Sequence, residues 1–152
     1  MMKRRSVVLL TGGVCLPGCI NLLDGSRHPN HFDMRGKIDI VIDGDPVDLT
    51  ADRFQTEYAD DAALAFYLQE ADEYWYMKGE ERVTPGEAIE LLPHFEYDRF
   101  DGNDVITFDG ATYDAADQGT LIEFFANDVE VDPLAYTLQN EDVLRIDILT
   151  GL

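Results

Sequence analysis

Histidines near carboxylates are the first groups to weigh, because together they bind metal ions. His28 and His31 stand close to Asp24 and Asp33. A closed zinc site takes four ligands and a catalytic one three. Pro29 and the polar stretch around these residues favour solvated side chains over a fixed ligand set, and His94 is remote in sequence. Asp98, Asp101, Asn103, Asp104 and Asp109 also offer oxygen ligands within a short span. A calcium loop alternates such ligands and closes on a glutamate. Val105 breaks that alternation and no Glu closes the run, so a solvated hairpin loop is expected. Ser26 is the one serine beyond Ser6, and no Gly-x-Ser-x-Gly elbow surrounds it. Gly12-Gly13 is not followed by the Lys-Ser/Thr of a phosphate loop. With 31 acidic residues, carboxylate pairs arise by chance; they indicate acid–base chemistry only where a cleft shifts their pKa. No catalytic residue, cofactor or metal ligand is assigned on this basis, so the chain is not expected to be an enzyme. The alternative is an exported enzyme or cation-binding protein that uses its carboxylates.

Recognition chemistry has a better candidate in Tyr74-Trp75-Tyr76-Met77. In a strand Trp75 and Met77 face one side and Tyr74 and Tyr76 the other. One side is expected to be core. The other, if open, presents Tyr74 and Tyr76 to an envelope protein or a glycan, since tyrosine pairs an apolar ring with a polar tip. The competing expectation is that both sides are covered.

The N-terminus has chemistry of another kind. Lys3, Arg4 and Arg5 precede an apolar run from Val7 to Leu16, the layout of a secretory signal. Arg4-Arg5, followed by Ser6 and Val7-Val8-Leu9, resembles a twin-arginine export motif. Leu16-Pro17-Gly18-Cys19 resembles a lipobox. That resemblance implies that the thiol of Cys19 carries a lipid and that the chain is cut before it. A plain cleaved signal and an uncut membrane helix are the other readings, although Gly12, Gly13, Pro17 and Gly18 interrupt a spanning helix. The expected organisation is an export signal over 1–18, a lipid-anchored tether over 19–36 and one β-rich domain over 37–152. The expected place is the extracellular face of the cell membrane.

Loss of residues 1–18 leaves 8 Lys and Arg against 31 Asp and Glu, a net charge of −23. Such a surface repels nucleic acid and anionic lipid, so the membrane is met through the anchor. All sixteen aromatic residues lie at Phe32 or later, so the core belongs to that part of the chain. The only cysteines are Cys15 and Cys19, which leaves the body without a disulfide framework. Acidic, lysine-poor and twin-arginine-exported, the chain resembles proteins of extremely halophilic archaea.

Around these residues the pattern predicts hairpins and one helix. Ile38, Ile40 and Ile42 alternate with Asp39 and Val41 before Asp43-Gly44, a two-residue turn signal, so Lys37 to Leu49 is expected to be a hairpin. Thr50 is expected to cap a helical turn reaching Gln55. Residues 60–77 fit both a helix period and two aromatic strands, and aromatic enrichment favours the strands. Thr84-Pro85-Gly86-Glu87 is a helix start, with Thr84 as cap, Pro85 in the first turn and Glu87 closing a capping box. Further hairpins are expected to turn at Asp109-Gly110 and Asn127-Asp128, and Val143 to Leu149 is the expected last strand. Ile40 to Asp48 aligns with Phe124 to Asp132, which two hairpins of one shape would explain.

This order is α+β: mostly antiparallel hairpins packed on one short capped helix. With Leu138-Gln139-Asn140-Glu141-Asp142-Val143-Leu144 before the final strand, it resembles a β-grasp, the ubiquitin-like fold. The ubiquitin-like sulfur carriers end in Gly-Gly, whereas this chain ends Gly151-Leu152, so the carrier role does not transfer. Asp43-Gly44-Asp45-Pro46-Val47-Asp48 and Val83-Thr84-Pro85-Gly86-Glu87 also resemble small exported haloarchaeal proteins of unknown function. Some of those carry His-x-His on a strand, where this chain has Tyr74-Trp75-Tyr76.

Overall fold

The computed structural model describes residues 32–59 and 64–152. Four two-residue turns shape it: Asp43-Gly44, Asp101-Gly102, Asp109-Gly110 and Asn127-Asp128. All eight residues have positive φ, from 50° to 87°. Turns of this hand match the twist of the strands they join, and Asp, Asn and Gly tolerate that conformation best.

β1 (Phe32–Ile42) crosses the molecule and returns through the Asp43-Gly44 turn into β2 (Asp45–Pro46), with Val41 opposite Pro46. β1 starts five residues before the expected hairpin, so residues 32–36 of the expected tether are strand. Two short 3-10 turns follow, Asp52–Phe54 and Thr56–Tyr58. Thr50 does not cap the first: its N-cap is Ala51, and no side chain bonds there. Asp48 competes successfully, accepting both the backbone N–H and the hydroxyl of Thr50.

β3 (Tyr67–Leu68) and β4 (Tyr74–Gly79) pair antiparallel, Leu68 opposite Trp75. The described part of residues 60–77 is thus a hairpin. Glu70 and Ala71, at φ 61° and 51°, make its bend. The buried Gln55 pins that bend, donating to the Leu49 carbonyl at 2.7 Å and accepting from the Ala71 N–H at 2.9 Å.

α1 (Pro85–Leu91) begins as its sequence requires. The N–H of Glu87 donates to Thr84, and the Glu87 carboxylate accepts from the N–H of Thr84. Such a cap contributes about 1 kcal/mol. Ala88, Ile89 and Leu92 are buried, and the chain leaves the helix before Pro93.

β5 (Phe95–Phe100), β6 (Asn103–Phe108) and β7 (Ala111–Asp114) form a three-stranded antiparallel meander. β8 (Leu121–Ala126), β9 (Val129–Glu130) and β10 (Val143–Leu149) complete the larger sheet, whose order is β3-β4-β1-β10-β8-β9, with β2 added to β1. Its central pair, β1 and β10, is parallel, Ile38 opposite Leu144 and Ile40 opposite Ile146; every other pair is antiparallel. The architecture is α+β.

One face of this sheet is core. Ile38, Ile40, Trp75, Met77, Phe124, Leu144, Ile146 and Ile148 pack there with α1 residues and with Phe95, Tyr97 and Ile106 of the meander. Among the described residues no helix is long and apolar enough to cross a membrane.

The internal repeat is structural. Val41 opposite Pro46 and Ile42 opposite Asp45 recur as Phe125 opposite Glu130 and Ala126 opposite Val129, 84 residues on. Val47 donates to Ile40 and Val131 to Phe124. Asp48 caps the N–H of Thr50, and Asp132 that of Leu134. The two hairpins flank β10 from either side.

Candidate functional site

Trp75 and Met77 are fully buried, while Tyr74 and Tyr76 are half-buried on the opposite face of β4. The alternation expected of a strand therefore holds here, and it sets both tyrosines on the outer face of the larger sheet. Register decides their neighbours. Tyr74 stands opposite Lys37 and Tyr76 opposite Arg35. The Arg35 guanidinium lies 5.4 Å and the Lys37 ammonium 5.9 Å from the centre of the Tyr74 ring. Both cations are exposed on β1, and neither forms an ion pair among the described residues.

Tyr76 is more firmly held. Its ring stacks on Tyr67 at 5.7 Å, and its hydroxyl donates to Asp72 Oδ2 at 2.7 Å. That hydrogen bond, with burial, holds its phenol above the usual range, so it stays protonated. The Tyr67 hydroxyl and the nearby Asp33 charge raise the pKa of the neighbouring Lys78 and keep it cationic.

The same face continues across β10, where Arg145 stands opposite Asp39 of β1 and pairs with Asp147 at 2.9 Å. Arg35, Lys37, Lys78 and Arg145 make four of the seven Lys and Arg in the described residues, which also hold 28 Asp and Glu. Cations are thus gathered on one face of an acidic molecule. Along β1 they are bracketed, because Asp33 and Asp39 occupy the same side as Arg35 and Lys37.

β4 is fixed in this sheet by an arrangement at its start. The carbonyl of Asp142 accepts from the Trp75 indole N–H at 3.2 Å and from the Lys37 N–H at 3.0 Å. The Asp142 side chain is buried. It accepts from Tyr136 Oη, Asn127 Nδ2 and the Gln139 N–H, at 2.7, 2.7 and 2.8 Å. Burial and this carboxylate push the Tyr136 phenol up to about 12.

The acidic residues weighed for calcium are dispersed among structural roles. Asp104 accepts from the Tyr97 hydroxyl at 2.7 Å and from Arg99, which also reaches Asp132 at 3.0 Å. Asp109 pairs with Arg53 at 2.8 Å, Asp98 accepts the Arg99 N–H, and Asp101 sits in a turn. Among the described residues no three His, Cys, Asp or Glu gather as a metal-binding group. His28, His31, Asp24, Cys19, Arg4 and Arg5 lie outside the described residues. Among the described residues lie open hollows of about 390, 610 and 370 Å³. The one of about 610 Å³ is edged by Glu90, Glu96 and Asp98.

Sequence reasoning finds the tyrosines but not the cations beside them. By pattern alone Arg35 falls in the tether and Lys37 at the start of the hairpin. What joins them to β4 is a pairing between segments almost forty residues apart. Compared with known protein families, curated proteins and solved structures, the chain gives no match.

Proposed function

We propose that this chain is a lipid-anchored extracytoplasmic module that binds a partner through the outer face of its larger sheet and catalyses no reaction. The observation that carries this reading is the exposed pair Arg35 and Lys37. They lie against the half-buried ring of Tyr74 and, among the described residues, lack carboxylate partners in a chain of net charge −20. Exposed aromatic and arginine side chains on a rigid element are the groups that dominate protein contacts.

A β-grasp body fits this reading. Its support is a first strand and a last strand lying parallel and adjacent at the middle of a mixed sheet, with α1 following the β4 edge hairpin. The anchor rests on Cys19 and export on Arg4 and Arg5, so the tether would hold the sheet close to the membrane.

Two variants test the proposal. Cys19→Ser should release the protein from the membrane or leave its precursor uncut. Tyr74→Ala, in the anchored protein, should lose capture of an envelope partner while remaining folded. A first variant that is processed and stays membrane-bound as before refutes the anchor; unchanged capture by the second refutes the binding face.

A further inference from the structure

Resting on that binding face, we infer that its partner is a protein presenting an extended acidic segment, with carboxylates at alternate residues, to Arg35 and Lys37. The spacing of the cations carries this. Arg35 and Lys37 are two residues apart on one strand and point to the same side, so their Cα atoms are roughly 7 Å apart. Alternate residues of an extended partner strand repeat at the same pitch, so an Asp or Glu at positions i and i+2 meets both cations in register. Arg35 offers a planar fork suited to a carboxylate. Tyr74 and Tyr76 alongside offer ring surface to the partner's backbone and apolar atoms.

Other occupants fit less well. A neutral glycan could stack on Tyr74, but it would bury two cations without counter-charge, and desolvating unpaired charge is costly. A long uniform polyanion would run onto Asp33 and Asp39, which bracket the pair on the same side of β1. Nucleic acid meets the same obstacle together with a net charge of −20. A symmetric dimer through this face would set cation against cation, since a two-fold interface pairs a patch with itself.

The test uses the full-length chain with three probes. One is a peptide with two glutamates, two residues apart, alternating with and flanked by neutral residues, the second a peptide of the same composition with its two glutamates adjacent, and the third dextran sulfate. The alternating peptide should bind most tightly. Arg35→Gln with Lys37→Gln should weaken it about tenfold or more, the order expected when two charge-assisted contacts are removed. The near-ultraviolet circular dichroism of buried Trp75 should be unchanged, which shows the variant folded. Arg35→Gln alone should give an intermediate loss.

No binding of the alternating peptide to the folded protein overturns the inference, as does equal binding to the Gln pair. Tighter binding of dextran sulfate assigns the face to a sulfated glycan and overturns it too. Self-association that the Gln pair abolishes makes the face an interface between copies and likewise overturns the inference. If the peptide fails while Tyr74→Ala still loses an envelope partner, the binding module stands and only its acidic ligand is wrong.

Discussion

Gly36 leaves room for the carbonyl oxygen of Asp142, which sits where a side chain at that position would begin. A Cβ built on Gly36 would overlap that oxygen and stand 2.6 Å from Trp75 Cζ2. The oxygen cannot retreat without losing the Trp75 and Lys37 hydrogen bonds, and the indole is locked in the core. Gly36→Ala should therefore destabilise by about 3 kcal/mol, the upper range for overpacking. Gly44→Ala is the control. Nothing lies within 4 Å of its built Cβ, so only the positive φ of 87° is strained, at about 1–2 kcal/mol. Urea unfolding of both variants checks the order, and equal midpoints would contradict it.

The two faces of β4 should separate in the same assay. Trp75 is fully buried, stacked on Phe66 at 5.7 Å, and donates to Asp142. Trp75→Ala should cost about 3–5 kcal/mol. Tyr74→Ala, removing a half-buried ring against two exposed cations, should cost about 1 kcal/mol or less. Tyr76→Phe isolates the Asp72 hydrogen bond and should cost roughly 1 kcal/mol. A Tyr74→Ala loss as large as that of Trp75→Ala would make the ring part of the core and remove the basis for the binding face.

Local signals in the chain are readable where they need no distant partner. Asp-Gly and Asn-Asp pairs mark turns because few residues tolerate two successive positive φ values. Thr84 to Glu87 marks a helix start because all its hydrogen bonds are internal. Asp101-Gly102 carries the same turn signal, with Phe95 and Tyr97 alternating before it, and weighing those acids as ligands obscures β5. The parallel pairing of β1 with β10 leaves no local trace, since its register is set by apolar residues a hundred positions apart. The candidate site divides in the same way. Tyr74 and Tyr76 follow from alternation within one strand; Arg35 and Lys37 join them through the β1–β4 register.

Asp43 gives the fold a defined dependence on pH. Its carboxylate accepts the hydroxyl of Thr150 at 2.7 Å and the N–H at 2.6 Å, tying the first hairpin turn to the end of β10. These bonds, the hydroxyl first, hold its pKa below the usual carboxylate value. A depressed folded-state pKa means that this stabilisation is present above the ordinary carboxylate range. It is lost as pH falls through the lowered value. The melting temperature of the protein should thus exceed that of Asp43→Asn at neutral pH. The gap should close in acid, once Asp43 is protonated. A gap that persists at the acid end would place the stabilisation elsewhere.

Salt should strengthen the fold. The described residues carry 28 acidic side chains against seven Lys and Arg, so repulsion outweighs attraction whatever the pairing. Folding brings those carboxylates onto one small surface, whereas the unfolded chain spreads them. At molar salt the Debye length falls to about 3 Å, which removes most of this repulsion. Close pairs such as Arg99 with Asp104 at 3.0 Å, with side chains largely shielded, lose less. The melting temperature should therefore rise from dilute buffer to molar KCl, and Glu90→Gln with Glu96→Gln, which removes two exposed carboxylates from the hollow they share with Asp98, should reduce the dependence. Potassium glutamate in place of chloride separates screening from specific anion binding, because screening depends on ionic strength alone. If the melting temperature stays flat with KCl, the acidic surface costs the folded state little, and the gathering of cations on the Arg35–Lys37 face has no bearing on folding.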